Sequence, residues 1–219
     1  MSVPPERGME PENRYLLALY ASPRRRGNTS LLLDSLVEGA TEAGVEPVTF
    51  RVAEMDIRPC RGCDACSRDG ECVQKDDMQA IYPHLERAGA VVLAAPVFSM
   101  NICAQAKALI DRCQRFWALT YVLKSHPVTE EFAARRRGLF ISCCGRDVPE
   151  TFRCTRPTVA YFFHVIRVKE WGSQTYAGVD AAGAIREVGG ALEKARKWGR
   201  DLQLWWSGED RWDARRDPG

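Results

Sequence analysis

Two hydrophobic periods alternate along the chain. RYLLALYAS (14–22) is a continuous apolar run ending in a polar loop, and residues 29–43 then place Leu32, Leu33, Leu36, Val37 and Ala40 on one face at helical spacing. Residues 45–52 read as a second strand, and AVVLAAPVF (90–98), the most strand-like run in the sequence, as a third that Pro96 closes. Asp76 and Asp77 supply helix-start carboxylates for a segment running to about 88. A further helix is expected from 102 to about 120, with Lys107 and Asp111 one turn apart. After a charged, proline-containing surface connection (121–136), residues 138–143 read as a fourth strand, 157–168 as a helix, 169–176 as a fifth strand and 187–206 as a closing helix. Five strands alternating with helices imply right-handed crossovers and a parallel sheet covered on both faces. The expected fold is α/β, a doubly wound five-stranded parallel sheet.

In such a sheet the loop after each strand emerges at one carboxyl edge, where ligands bind at the topological switch point. Four unusual loops are therefore expected to share one rim. The first, SPRRRGNTS, lacks the GxxxxGK[ST] and GxGxxG phosphate motifs. It still suits a phosphate: Ser22, Thr29 and Ser30 carry hydroxyls, Asn28 an amide and Arg24 a charge, Gly27 gives backbone freedom, and a helix N-terminus follows. A solvated turn with a helix cap is the other reading. The second loop, Pro96, Val97, Phe98, Ser99, Met100 and Asn101, offers apolar groups against which a planar ring could lie and polar groups for its edge, or else simply fills core space. The third contains Cys143, Cys144 and Gly145, the thiols read as buried and inert and the glycine as allowing close approach to a ligand.

Composition narrows the classes. With 219 residues and 45% hydrophobic content, one domain (14–206) is expected, with an N-terminal extension (1–13) and a charged tail (207–219). Thirty-one basic against 29 acidic residues leave +2, so no sequence-wide field argues for nucleic acid or a membrane surface. The charged, proline-containing start and the short first apolar run point to neither a secretory signal nor a membrane span, and the cytoplasm is the expected location. No GxSxG or HExxH motif suggests hydrolysis, and His84, His126 and His164 are scattered and read as structural or surface residues.

Nine cysteines in a chain expected to stay reduced call for metal, redox work or burial. Four of them form the fourth loop, CRGCDACSRDGEC, with Cys60, Cys63 and Cys66 at successive x2 spacing and Cys72 close behind. Structural zinc is typically held by two separated hooks, whereas one loop of this spacing wraps an iron–sulfur cube. A [4Fe–4S] cluster is the reading, with zinc or unliganded structural thiols as the alternatives.

Taken together, SPRRRGNTS, CRGCDACSRDGECVQKDDM, APVFSMNICAQAKALIDR and GVDAAGAIRE resemble the flavodoxin-like NADPH-dependent FMN reductases, and within them the iron–sulfur flavoproteins, from about Arg14 to Gln203. The resemblance implies a flavodoxin-like fold and FMN. Its phosphate would be held by Ser22, Arg24, Asn28, Thr29 and Ser30, its ring would lie against residues 96–101 and the third loop, and a cluster would sit on Cys60, Cys63, Cys66 and Cys72. It further implies a homodimer or homotetramer in which a cluster approaches a neighbouring subunit's flavin. NAD(P)H or a ferredoxin-type protein would be the electron donor, and no side-chain acid or base is required. Two other readings stay open: a cluster-free NAD(P)H-dependent FMN or quinone reductase, and a non-enzymatic redox sensor. The chain departs from its relatives in having Phe98 alone where they often have several tyrosines, and Cys143-Cys144-Gly145 where they are glycine-rich.

Overall fold

The central strands are apolar at most positions because both of their faces are covered. YLLALY, AVVLA and RGLFISC are buried almost throughout. The computed structural model describes residues 13–148 and 150–207. In chain order the elements are β1 (Tyr15–Tyr20), α1 (Asn28–Glu42), β2 (Glu46–Phe50), α2 (Cys66–Asp69), α3 (Met78–Arg87) and β3 (Ala90–Ala94). A small hairpin follows, β4 (Val97–Phe98) and β5 (Asn101–Ile102), and then α4 (Ala104–Arg112), α5 (Gln114–Tyr121) and α6 (Glu130–Arg135). The chain continues through β6 (Arg137–Cys143), α7 (Glu150–Arg153), α8 (Arg156–Val165), β7 (Lys169–Tyr176) and α9 (Ala191–Ser207).

The sheet is five-stranded and wholly parallel in the order β2-β1-β3-β6-β7, the flavodoxin-like arrangement. Its strand order reverses between β1 and β3. One core, built on Leu17, Leu19, Val91 and Leu93, packs under α3, α4, α5 and α8; the other, built on Leu16, Ala18, Val92 and Ile141, packs under α1 and α9. Two glycines bring α1 and α9 together: a Cβ on Gly39 would lie 2.0 Å from the Arg196 carbonyl oxygen, and one on Gly199 2.0 Å from that of Leu36. No helix among the described residues is long and apolar enough to cross a membrane.

Three details differ from the sequence reading. The 90–98 run breaks at Pro96, and its end pairs with Asn101–Ile102 through Ser99 and Met100, both in the left-handed region (φ 51 and 67). The helix expected over 102–120 is two helices hinged at Cys113, whose ψ of 2 ends the first. The 121–136 connection contains α6, capped by Thr129, whose hydroxyl accepts from Phe132 N–H. The proposed extension and tail lie almost wholly outside the described residues.

Candidate functional sites: a rim crevice and a cysteine cavity

At the switch point, the first loop folds back on one carbonyl. Ser22 Oγ accepts from Arg24 N–H at 3.2 Å and donates to Arg24 O at 3.3 Å, while Ser30 Oγ and Gly27 N–H donate to the same oxygen at 3.2 and 2.9 Å. Gly27 is needed for space, since its Cβ would sit 3.0 Å from Ser22 Oγ. No side chain caps α1, so the N–H groups of Asn28, Thr29 and Ser30 are left for something at the rim. The Asn28 amide is occupied elsewhere: its Nδ2 donates to Val179 O (3.2 Å) and Ala181 O (3.0 Å), and its Oδ1 accepts from Ile185 N–H (3.2 Å). It therefore ties the β7–α9 loop over the start of α1.

A crevice of about 70 Å³ is lined by Ser22, Arg24, Gly27, Asn28 and Thr29, by Pro96, Val97 and Phe98, by Cys143, Cys144 and Gly145, and by Val179 and Asp180. Three of the expected loops do meet here. Ser30, Ser99, Met100 and Asn101 are not among the lining residues; Ser30 is occupied beneath the loop, and Asn101 Oδ1 accepts from Ile102 N–H at 2.8 Å. Phe98 is 46% exposed at the crevice edge. Cys143 and Cys144 are buried, and burial pushes the Cys143 thiol up to about 12, so both stay protonated at neutral pH. Val179 and Asp180 complete the wall. Arg24 Nη1 donates to Asp180 O at 3.3 Å, and a Cβ on Gly145 would meet the Asp180 carboxylate at 2.8 Å. Neither residue was assigned a role from the sequence, although both belong to the GVDAAGAIRE segment. Free N–H groups at a helix start beside a guanidinium fit a phosphate, and the volume, well below the roughly 300 Å³ of a whole-ligand pocket, fits that end of FMN alone.

The cysteine loop corrects the expectation of a single rim holding all four loops. Cys60, Cys63, Cys66 and Cys72 line a separate cavity of about 570 Å³, which shares no lining residue with the crevice. Its far wall is the α4–α5 junction, Ile110 to Arg115 and Trp117, with Tyr161 and Val165 of α8. Ile110 lies six residues past Ala104, the start of α4, so this wall is about 9 Å down the helix from the rim. β2 is the edge strand, and its loop drops along that flank of the sheet.

Left-handed backbone at Gly62, Asp64 and Gly70 (φ 61, 56 and 79) lets the loop curl, and Cys60 Sγ accepts from Gly62 N–H at 3.5 Å. Cys60 and Cys63 are exposed, Cys66 and Cys72 half-buried. Among the described residues no group of three or more His, Cys, Asp or Glu side chains converges closely enough to hold a metal ion. The donor set nonetheless fits a cluster, because four thiols share one cavity, and Arg112 in its wall is fully buried with no hydrogen-bond partner for Nε. Asp76 fixes the rest of that guanidinium at 2.5 and 3.1 Å; burial works against the carboxylate, but the Arg112 and Arg58 hydrogen bonds outweigh it and hold its pKa below the usual value. Arg115 Nε donates to Gly70 O at 2.9 Å, and the buried Cys113 is a fifth thiol on the wall. Sequence reasoning gave none of Arg112, Cys113 or Arg115 a role. Arg112 is the final residue of the APVFSMNICAQAKALIDR segment, and a buried arginine at a helix end looks like any surface charge.

Residues 15–150 match the model of the NADPH-dependent FMN reductase family. The chain belongs to that family. Its curated relatives include an iron–sulfur flavoprotein of Archaeoglobus fulgidus, 38% identical over 96 residues, covering 44% of each chain. Another, from Methanosarcina thermophila, is 34% identical over 110 residues, covering 50% of this chain and 58% of that one. This FMN reductase family member thus spans about half the length of the curated relatives it matches. Among solved structures, the NAD(P)H:quinone oxidoreductase from Methanothermobacter marburgensis superposes with a TM-score of 0.64 at 18% identity, covering 86% of this chain and 95% of that one. An FMN-dependent NADH-azoreductase from Bacillus anthracis gives 0.62 at 12% identity, covering 86% and 99%. At these identities the likeness is one of fold.

Proposed function

We propose that this chain is an iron–sulfur flavoprotein, an oxidoreductase moving electrons between a reduced donor, FMN, a [4Fe–4S] cluster and an acceptor. The observation that carries the reading is the single cavity lined by Cys60, Cys63, Cys66 and Cys72 in a chain whose switch point holds a separate, uncapped helix start. FMN supplies two-electron and one-electron exchange and the cluster one-electron exchange, so the pair converts one currency into the other. The Asn28, Thr29 and Ser30 N–H groups and Arg24 bind and orient the phosphate end, Gly145 permits close approach, and Phe98 offers an apolar surface. The buried thiols of Cys143 and Cys144 keep charge away from that end of the crevice. The four loop cysteines hold the cluster. A homodimer or homotetramer covers the open side of the crevice, and NAD(P)H or a ferredoxin-type protein serves as donor. With 31 basic against 29 acidic residues, no net field favours nucleic acid or a membrane surface as the partner.

Anaerobically purified protein is expected to show a flavin spectrum and about four irons per chain, as a cube requires. Cys63→Ala is expected to lose the iron and keep FMN, because the two cavities have no residue in common. Stoichiometric iron in that variant removes Cys63 from the ligand set. The lack of convergence among the thiols favours a second reading, a cluster-free NAD(P)H-dependent flavin or quinone reductase, for which flavin without iron in the wild-type protein is the signature.

A further inference from the structure

We propose that Arg112 is the positioning residue of the cysteine-bound centre: it staples the two limbs of the loop together and turns its one unused donor, Nε–H, toward the centre, raising its reduction potential. The inference rests on the cluster reading above. Its basis is the way one guanidinium is shared out. Nη1 donates to Arg58 O at 2.9 Å and to Asp76 Oδ2 at 2.5 Å; Nη2 donates to Gln74 O at 3.4 Å and to Asp76 Oδ1 at 3.1 Å. Arg58 lies two residues before Cys60 and Gln74 two residues after Cys72, so the contacts fasten both ends of the cysteine segment. Two further bonds zip the same limbs, Gln74 Nε2 to Pro59 O at 3.1 Å and Arg58 N–H to Asp76 Oδ2 at 3.1 Å.

With four donors committed, Nε–H is left over. It is buried, it has no partner, and its residue lines the cavity the cysteines line. A buried donor of this kind destabilises the fold unless something accepts from it. Arg115, three residues on, has the opposite pattern: its Nε is spent on Gly70 O and its charge on Glu71 and Glu86 at 2.9 and 3.3 Å. One buried arginine is satisfied by the protein, and the other is one acceptor short in the lining of the cavity that the four thiols share. Hydrogen bonds to cluster sulfurs and nearby positive charge favour the reduced form and raise the potential.

The test uses full-length protein loaded anaerobically. Iron and flavin per chain, the cluster midpoint by EPR-monitored titration and the FMN midpoint are measured for wild type, Arg112→Lys, Arg112→Gln and, as a control outside both cavities, Arg196→Lys. The expected result is iron retained in Arg112→Lys, with the cluster midpoint shifted negative there and further in Arg112→Gln, and the FMN midpoint and the Arg196→Lys cluster midpoint unchanged. Loaded protein with an unmoved midpoint in both Arg112 variants overturns the proposal and leaves the cluster reading standing. Should neither variant load, pulsed EPR on reduced wild-type protein labelled with ¹⁵N-arginine decides: a single arginine nitrogen coupled to the cluster supports it, and none overturns it. Wild-type protein that takes up no iron overturns the cluster reading itself, and this proposal with it.

Discussion

Asn28 shows how one side chain can serve a site without touching its ligand. Its three hydrogen bonds reach the 179–185 segment across more than 150 positions of sequence, and they hold Val179 and Asp180 in the crevice wall. Asn28→Ala is expected to cost about 2–3 kcal/mol, since buried partners are left unsatisfied. It should also lower FMN retention through the freed loop, measured as flavin per chain after gel filtration. Retention equal to wild type, with the stability lost, separates the two roles. His126 carries a pH signature. Its Nδ1 accepts from Val128 N–H at 3.1 Å, which leaves Nε2 to donate to Val165 O at 3.2 Å, so the ring sits neutral. Burial, with Arg167 nearby, lowers its pKa to about 4 from an ordinary 6.5. A depressed pKa contributes stability above the unfolded value that is lost as pH falls toward the folded one. Thermal midpoints should therefore drop between pH 6.5 and 4, and His126→Gln should flatten that limb. At this scale sequence reading is weakest: the Asn28 amide reads as a phosphate contact and Arg112 is given no role, because nothing local says what lies across the fold.

Elements were far more legible, and where they were not the reason is visible. β7 spans 169–176 as expected for the fifth strand, and Lys107 does pair with Asp111 at 2.7 Å on α4. The β4–β5 hairpin was hidden because its turn residues, Ser99 and Met100, lack the Asn-Gly or Gly signal that marks such turns. The α4–α5 hinge was hidden because Cys113 is neither proline nor glycine, and the apolar face runs through it. The glycine contact between α1 and α9 gave no pattern either, since a lone glycine in a helix reads only as a weak position. It is nevertheless where the fold is least forgiving. Gly39→Ala or Gly199→Ala drives a methyl into backbone, so overpacking at or above the usual 1–3 kcal/mol is expected, read as a fall in the urea midpoint. A midpoint within error of wild type would mean that the helices separate freely.

For the whole molecule, the alternation of strand and helix was enough to give a five-stranded parallel sheet and the edge on which three loops gather, while the strand order came from the structure. What it could not give was the height of the fourth. A connection leaving an edge strand has no neighbour to hold it at the rim, and here buried arginines on α4 and α5 draw it down the flank. A molecule laid out in this way fails in halves. On the cluster reading proposed above, air or a chelator reaches the exposed Cys60 and Cys63 without passing the crevice, so cluster-loaded protein left on the bench should turn from brown to yellow before it turns colourless.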